Sequence, residues 1–381
     1  MLASSIFLTP RALGAYAVVI LLFFTIRQLG TTHATYSTAE WTKGKVSHLT
    51  GAGSGPKPAN ATLDFQEIVF ISMPYRTDRQ DAMALTAAQT GLKLNKMIAG
   101  VPSADVHEKA RPLTNHPGDD PNKPWLGVWR AHADAWRYII DNDIQSALIM
   151  EDDLDWDVNV KEVFGLWNWQ MKNNNSLAEN MGRGKNGETC EYGCDWDHLS
   201  MGQCVYKPHP TDKTHFSYKD PNSPAIGSFT KDNKKEMIDH WKYKAEDAGV
   251  RLVTHSWAPL CTMGYAMTNR GARRALYQIG GFLAMDSPID LEFIQHAKDG
   301  RLKSYTISPP TLVKWKVFGP GDTDNDYGFD FKANPDQDTT QGGGQSKGLL
   351  NSARQALKVL DGKFHTWKTD DKKDDKKKEG Q

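Results

Sequence analysis

The chain has 381 residues, enough for one large domain or two small ones with a substantial core. Lysine plus arginine and aspartate plus glutamate each number 46, so no global field directs the protein to nucleic acid or to an anionic membrane face. Twelve tryptophans and 32 glycines suit a chain that builds ligand clefts, although tryptophan serves equally well as core filler.

The first concentrated apolar segment, Ala12 to Ile26, is flanked by Arg11 and Arg27. At about 1.5 Å per residue it spans roughly 22 Å, short for a thick plasma membrane and better suited to a thin internal one. A signal-peptide core is the alternative, but no A-x-A cleavage pattern precedes the polar stretch that follows. Residues 1–29 are therefore expected to form a cytoplasmic tip and signal anchor, although one arginine on each flank leaves the positive-inside rule nearly mute. Residues 30–64, rich in Thr, Ser, Gly, Ala and Pro, are expected to be a flexible stem. This layout predicts a single-pass type II protein of the Golgi or ER membrane with a luminal domain. The sequons Asn60-Ala61-Thr62 and Asn174-Asn175-Ser176 agree with it. So do Cys190, Cys194, Cys204 and Cys261, whose spacing does not suit zinc and favours disulfides, in a pairing the sequence leaves open.

The globular domain is expected over residues 65–335. Its first strand begins at Glu67 in EIVFISM and is ended by Pro74; Thr77 and Gln80 form a T-x-x-Q capping box for a helix running to about Gly91. The intervening loop carries Tyr75, Arg76 and Arg79. Basic side chains at the carboxyl edge of a first strand are placed for a diphosphate, and the plain alternative is two solvated arginines. A second helix is read in VWRAHADAWRYIIDN, where Val128, His132, Trp136 and Ile139 or Ile140 share one face. A histidine on such a stripe is usually a hydrogen-bonded core residue.

The turn Asp141-Asn142-Asp143 leads into the strand SALIM, which ends in Glu151, Asp152 and Asp153. The alternation of strands and helices predicts an α/β domain with a mostly parallel central sheet. No core absorbs such a burst of carboxylates, so either it is an acidic surface turn or it builds a hard, oxygen-rich site suited to Mn²⁺ or Mg²⁺. On an extended strand end Glu151 and Asp153 face one side as metal ligands, and Asp152 faces away, towards ribose or backbone amides. A calcium loop in the register of Asp153, Asp155 and Asp157 fails, because Val158 stands where glycine must turn the chain and Phe164 where a bidentate glutamate belongs.

Residues 173–250 read as a polar, cysteine-bearing insertion with one compact stretch, CDWDHLSMGQC. The core is expected to resume near Val250 with a strand or two and a short helix, followed by a helix around Asp290 to Asp299 and the strand KSYTISPP. Within residues 336–381 an amphipathic helix with Leu349, Leu350, Ala353, Leu357 and Leu360 on one side precedes a disordered Lys/Asp tail from Thr369. There is no internal repeat.

Together these segments resemble glycosyltransferase family 25, which includes bacterial lipopolysaccharide galactosyltransferases and animal procollagen galactosyltransferases. VFISMPYRTDRQDAM is similar to the family's opening strand and loop, and GVWRAHADAW to its G-x-x-x-S-H-x-x-x-W helix. ALIMEDD is similar to its acidic metal motif and WDHLSMG to its tryptophan-aspartate strand. CTMGYAMTNRGARRAL resembles its Thr-x-x-Tyr-x-x-Ser segment, and SPIDLEFI its Pro-Val-Asp element. The blocks stand in the family's order over roughly residues 66 to 318, which is far more specific than any one of them.

The resemblance implies a GT-A-like fold and transfer of a sugar, galactose first, from a nucleotide-sugar donor, a UDP-sugar the expected form, to a glycan or glycoprotein hydroxyl. It implies Mn²⁺ or Mg²⁺ on Glu151 and Asp153. Arg76, Arg79, His132 and Asp152 fall on the donor side, and Asp290 is the base or an acceptor-site carboxylate. For Asp290 a helix N-cap is the equal alternative. Ala131 replaces the family's serine before the histidine, Asn269 sits near its usual serine, and the cysteine-bearing insertion is closer to fungal members. A metal-dependent phosphoesterase or nucleotide pyrophosphatase would also use acidic strand ends, though with a two-metal cluster of His and Asp. A noncatalytic carbohydrate-binding protein is the third class.

Overall fold

The computed structural model describes residues 55–116, 123–178, 181–182, 187–318 and 343–362. The expected signal anchor, most of the stem and the Lys/Asp tail lie outside the described residues. Among the described residues no helix is long and apolar enough to cross a membrane.

The chain runs β1 (Glu67–Ser72), α1 (Thr77–Thr90), β2 (Lys96–Ala99), α2 (Leu126–Asp141), β3 (Ser146–Glu151), β4 (Leu154–Trp156), α3 (Val160–Asn173), β5 (His198–Ser200), β6 (Val205–Lys207) and β7 (His215–Lys219). It continues through α4 (Lys231–Lys235), β8 (Val250–His255), β9 (Ala258–Leu260), β10 (Gly264–Thr268), α5 (Asn269–Leu276), α6 (Ile289–Lys298), β11 (Ser304–Ser308) and β12 (Leu312–Lys314). It closes with β13 (Lys316–Val317), β14 (Gly344–Gln345) and α7 (Ala353–Ala356).

Eight strands form one sheet in the order β2-β1-β3-β10-β5-β11-β8-β7. The β2-β1-β3 half is parallel, β10 runs antiparallel between β3 and β5, and β8 runs antiparallel between β11 and β7. The sheet is thus mixed, most of its strands pointing one way. Period-two alternation sorts its side chains. Ile68, Leu148, Met150 and Ala266 join one core, and Val69, Ala147, Ile149, Tyr265 and Met267 join the other. Helices α1 and α3 cover the first face; α2, α5 and α6 cover the second.

Several sequence expectations change here. Residues 55–64, assigned to the stem, are packed: Leu63 is fully buried in the first core, and the Ala59 N–H donates to the Lys161 carbonyl at 2.8 Å. Helix α3 has no counterpart in the sequence reading. It supplies Val163, Phe164, Trp167 and Met171 to the core, and its Gly165 has no side chain because a Cβ there would stand 2.0 Å from the Lys57 carbonyl. The expected insertion carries the interior strand β5, the edge strand β7 and most of a small third core, Ile226, Phe229 and Met237, which packs on Leu252 of β8. The capping box does not form, because Thr77 is already inside α1 and Arg76 holds the N-cap position without a side-chain capping bond. Gln80 instead donates to the Met73 carbonyl at 2.9 Å. The left-handed Gly91, φ 64°, ends α1 as expected.

The C-terminal segment departs most. Leu350 and Leu360 are 50% and 61% exposed, so no long amphipathic helix packs by that face; Ala353 alone of the five is fully buried. Residues 343–362 hold the back of the acidic turn by hydrogen bonds. The Asp155 Oδ2 accepts from Ser346 at 2.7 Å and Ser352 at 2.5 Å, and the Asp157 Oδ2 accepts from the Asn351 N–H at 2.8 Å. Asp155 and Asp157 are buried anchors of the fold, which is a second reason why no calcium loop forms there.

Candidate active site

The carboxyl ends of β1, β2 and β3 lie at one edge of the sheet, since Ile71 pairs with Glu151 and Ser72 with Ala99. Strand β10 starts from the same edge, with Gly264 opposite Met150. Beyond these ends opens a cavity of about 680 Å³ whose walls include Tyr75, Arg79, His132, Asp290, Lys314 and all three carboxylates of the acidic turn. Crevices beyond strand carboxyl ends are the usual ligand sites of α/β sheets.

Glu151 is the last residue of β3. Its N–H donates to the Met263 carbonyl at 2.8 Å, and its Oε1 accepts from the Thr262 hydroxyl at 2.8 Å. The His132 Nε2 lies 3.6 Å from the same oxygen. His132 is 1% exposed, as the apolar stripe of α2 predicts, and its Nδ1 is 2.9 Å from the Tyr265 hydroxyl. That hydroxyl also accepts from Trp136 Nε1 at 2.9 Å. Burial pushes the Tyr265 phenol well above its ordinary range, so it stays protonated. The direction of the Tyr265–His132 bond follows the imidazole tautomer; where the phenol donates to Nδ1, the Nε2–H faces Glu151 at 3.6 Å, beyond hydrogen-bond length. His132 is thus a hydrogen-bonded core histidine through Nδ1, with its Nε2 at the cavity wall.

Asp152 turns away from Glu151, as alternation requires, but not towards open space. Its Oδ2 accepts from the Ser72 hydroxyl at 2.6 Å and its Oδ1 from Arg79 Nη1 at 2.8 Å, and the residue is 5% exposed. Burial works against the Arg79 guanidinium, but Asp152 and Asp153 outweigh it and hold the group more firmly protonated than usual. Asp152 therefore fixes Arg79 in the cavity wall. Arg76 does not line the cavity. Its guanidinium makes a two-pronged contact to Asp78, Nε to Oδ1 at 2.9 Å and Nη2 to Oδ2 at 2.7 Å.

Asp153 has 15% of its side chain exposed, with Oδ2 at 3.2 Å from Lys314 Nζ and Oδ1 buried without a hydrogen-bond partner. Asp153 raises the Lys314 ammonium above its ordinary range. Asp290 is the second residue of α6, whose N-cap is Pro288, so it is not the helix cap that the sequence allowed. Its Oδ1 accepts from the Leu291 N–H at 2.9 Å and its Oδ2 from the Cys261 N–H at 3.1 Å. The disulfide Cys204–Cys261 pins this turn at the cavity wall, and Cys190–Cys194 closes a small loop elsewhere. Cys261 has φ 71°, a left-handed backbone uncommon for a side-chain-bearing residue, and it is followed directly by Thr262, the partner of Glu151.

Lys314 was not legible as a site residue, and Thr262, the threonine of the Thr-x-x-Tyr-x-x-Ser match, was legible as part of a motif but not as the partner of Glu151. Lys314 stands on a short strand far along the chain, and only the β4–β12 pairing brings it to the acidic turn.

Glu151 and Asp153 carry only oxygen donors, and the buried Asp153 Oδ1 has no hydrogen-bond partner that would compete with a cation. Among the described residues no three His, Cys, Asp or Glu side chains converge as a metal-holding group. Two carboxylates fit the manner in which Mg²⁺-like ions are held, where substrate phosphates and water complete the shell. No protein-family model matches the chain.

Proposed function

We propose that the protein is a divalent-metal-dependent glycosyltransferase with a GT-A-like domain, similar to family 25, moving a sugar from a nucleotide-diphosphate donor to a glycan or glycoprotein hydroxyl. The observation that supports it most is the charge of the cavity. Among the described residues four carboxylates, Glu151, Asp152, Asp153 and Asp290, line it against two permanent cations, Arg79 and Lys314. A diphosphate entering so acidic a cleft needs a further cation, and Glu151 and Asp153 are the groups to hold Mn²⁺ or Mg²⁺. When bound, that ion would neutralise charge on the departing diphosphate.

The chain's own residues supply the rest of the chemistry. Thr262 orients Glu151, Asp152 aims Arg79 at the donor phosphates, and the phosphate charge is met by a guanidinium already desolvated and fixed. Asp290, held by two backbone N–H groups, is the carboxylate to accept the proton of the acceptor hydroxyl. The apolar wall of Val101, Pro102, Pro124 and Trp125 excludes water from the reacting atoms. We assign the domain to the lumen of the ER or Golgi. Two disulfides with no free cysteine among the described residues support this assignment, as does an exposed Asn60 whose sequon forms a turn with Thr62 N–H on Asn60 Oδ1 at 2.7 Å.

Calorimetric titration with uridine diphosphate tests the donor assignment. Binding in Mn²⁺ that disappears in chelator is expected; affinity indifferent to chelator removes the metal, and no nucleotide binding removes the donor.

A further inference from the structure

Lys314 ends β12, which pairs antiparallel with β4 and sets Lys314 opposite Leu154. The next residue, Trp315, donates its N–H to the Asp153 carbonyl at 2.8 Å, so the backbone on both sides of Lys314 is fastened to the acidic turn. The side chain is not fastened in the same way. It is 53% exposed, with its ammonium 3.2 Å from Asp153 Oδ2. Arg79 presents the opposite case, with 8% of its side chain exposed and a buried Asp152 holding it. Of the two permanent cations that line the cavity among the described residues, Arg79 is fixed and Lys314 is able to swing.

We propose that Lys314 binds the terminal phosphate of the nucleoside diphosphate, and that Asp153 parks its ammonium when the donor is absent. The proposal rests on the donor assignment above. A divalent cation held by Glu151 and Asp153 and the Lys314 ammonium compete for one carboxylate, and a diphosphate in the same cavity offers the displaced ammonium a new anion. A half-exposed four-carbon stem makes that movement at the cost of few contacts, and an ammonium, as a point charge, needs no fixed approach to a phosphate oxygen. No bond is made or broken. Lys314 exchanges one anionic partner for another, and the acidic turn avoids an unpaired carboxylate in either state.

Calorimetry on the full chain tests this with uridine diphosphate and uridine monophosphate, each in Mn²⁺, and with Mn²⁺ alone. Lys314→Met should weaken uridine diphosphate on the order of 10- to 100-fold, as loss of a charged hydrogen bond does, and weaken the monophosphate far less. It should tighten Mn²⁺ alone, because the competing ammonium is gone. Lys314→Arg should hold the diphosphate within a few-fold of wild type. The proposal is overturned if wild type binds uridine diphosphate and Lys314→Met binds it equally well, if both nucleotides weaken alike, or if Mn²⁺ alone is not tightened. A wild-type chain that binds neither nucleotide overturns the donor assignment itself, and this proposal with it.

Discussion

Three consecutive carboxylates meet three different surroundings at the end of one strand. Glu151 is braced by Thr262 with a histidine 3.6 Å away, Asp152 is held by Ser72 and Arg79, and Asp153 keeps one oxygen without a partner. The strand pattern made the alternation legible, but not that Asp152 is structural, because Ser72 and Arg79 reach it from 80 and 73 residues away. Asp290 carries the sharpest prediction at this scale. In Asp290→Asn the shape is kept and one backbone N–H loses its acceptor or forces an amide flip, while basicity is lost. We expect kcat to fall by roughly 10²-fold with little change in uridine diphosphate affinity. Steady-state rates measured beside calorimetry decide it: an unchanged kcat removes the base, and lost nucleotide affinity moves Asp290 to the donor site.

Between elements, the acidic turn is held from behind by a segment about 200 residues later in sequence. Arg354, 5% exposed, donates through Nε to the Leu154 carbonyl at 2.7 Å and through Nη2 to the Asp152 carbonyl at 2.9 Å. Arg354→Met leaves both buried carbonyls without this donor and should cost about 2–4 kcal/mol in denaturant unfolding; a loss under about 0.5 kcal/mol would show that the segment is not a support. Sequence periodicity suggested a helix here because Leu349, Leu350, Ala353, Leu357 and Leu360 are spaced for one. The hydrogen bonds of Ser352, Arg354 and Asn351 to the acidic turn decide the conformation instead. Helix α3 escaped detection for the converse reason: Gly165 and Asn168 interrupt its apolar pattern, yet Gly165 is needed for the close approach of Lys57. The capping-box sequence misled because Arg76, not Thr77, takes the N-cap position.

Glu236 belongs to the same scale, since it ties the segment after α4 to β11. Its carboxyl group accepts from Trp241 Nε1 at 2.8 Å and from the Ser308 hydroxyl at 3.3 Å, and burial pushes its pKa up to about 8. The folded protein therefore keeps a proton that the unfolded chain, at its ordinary 4.5, gives up. This contribution to stability is whole below pH about 4.5 and is lost progressively as pH rises to about 8. Glu236→Gln should gain on wild type in thermal stability across that interval. An unaltered difference between pH 5 and 8 would contradict the assignment.

For the whole molecule, the alternation of strands and helices made an α/β domain legible, and the reversed strands β10 and β8 were not, because nothing local in GYAMT or VRLVTH encodes strand direction. The interior strand β5 was obscured by its surroundings, since a three-residue strand inside a polar, Gly-rich stretch carries too few side chains to set a period. Luminal placement predicts that Asn60, exposed at the start of the domain, carries glycan in cells that glycosylate such sites. Treatment with a glycosidase should shift the wild type on a gel and shift Asn60→Gln less. Protease attack on the domain in intact vesicles would contradict the topology.

Turnover tests metal-dependent sugar transfer most directly. Full-length protein incubated with a panel of nucleotide sugars and Mn²⁺ should release nucleoside diphosphate from one of them, with galactose the first sugar to try. Release should vanish in chelator and in Asp153→Asn, whose thermal unfolding should stay close to wild type. Release that persists undiminished in chelator or in Asp153→Asn, or no release from any donor, would contradict it.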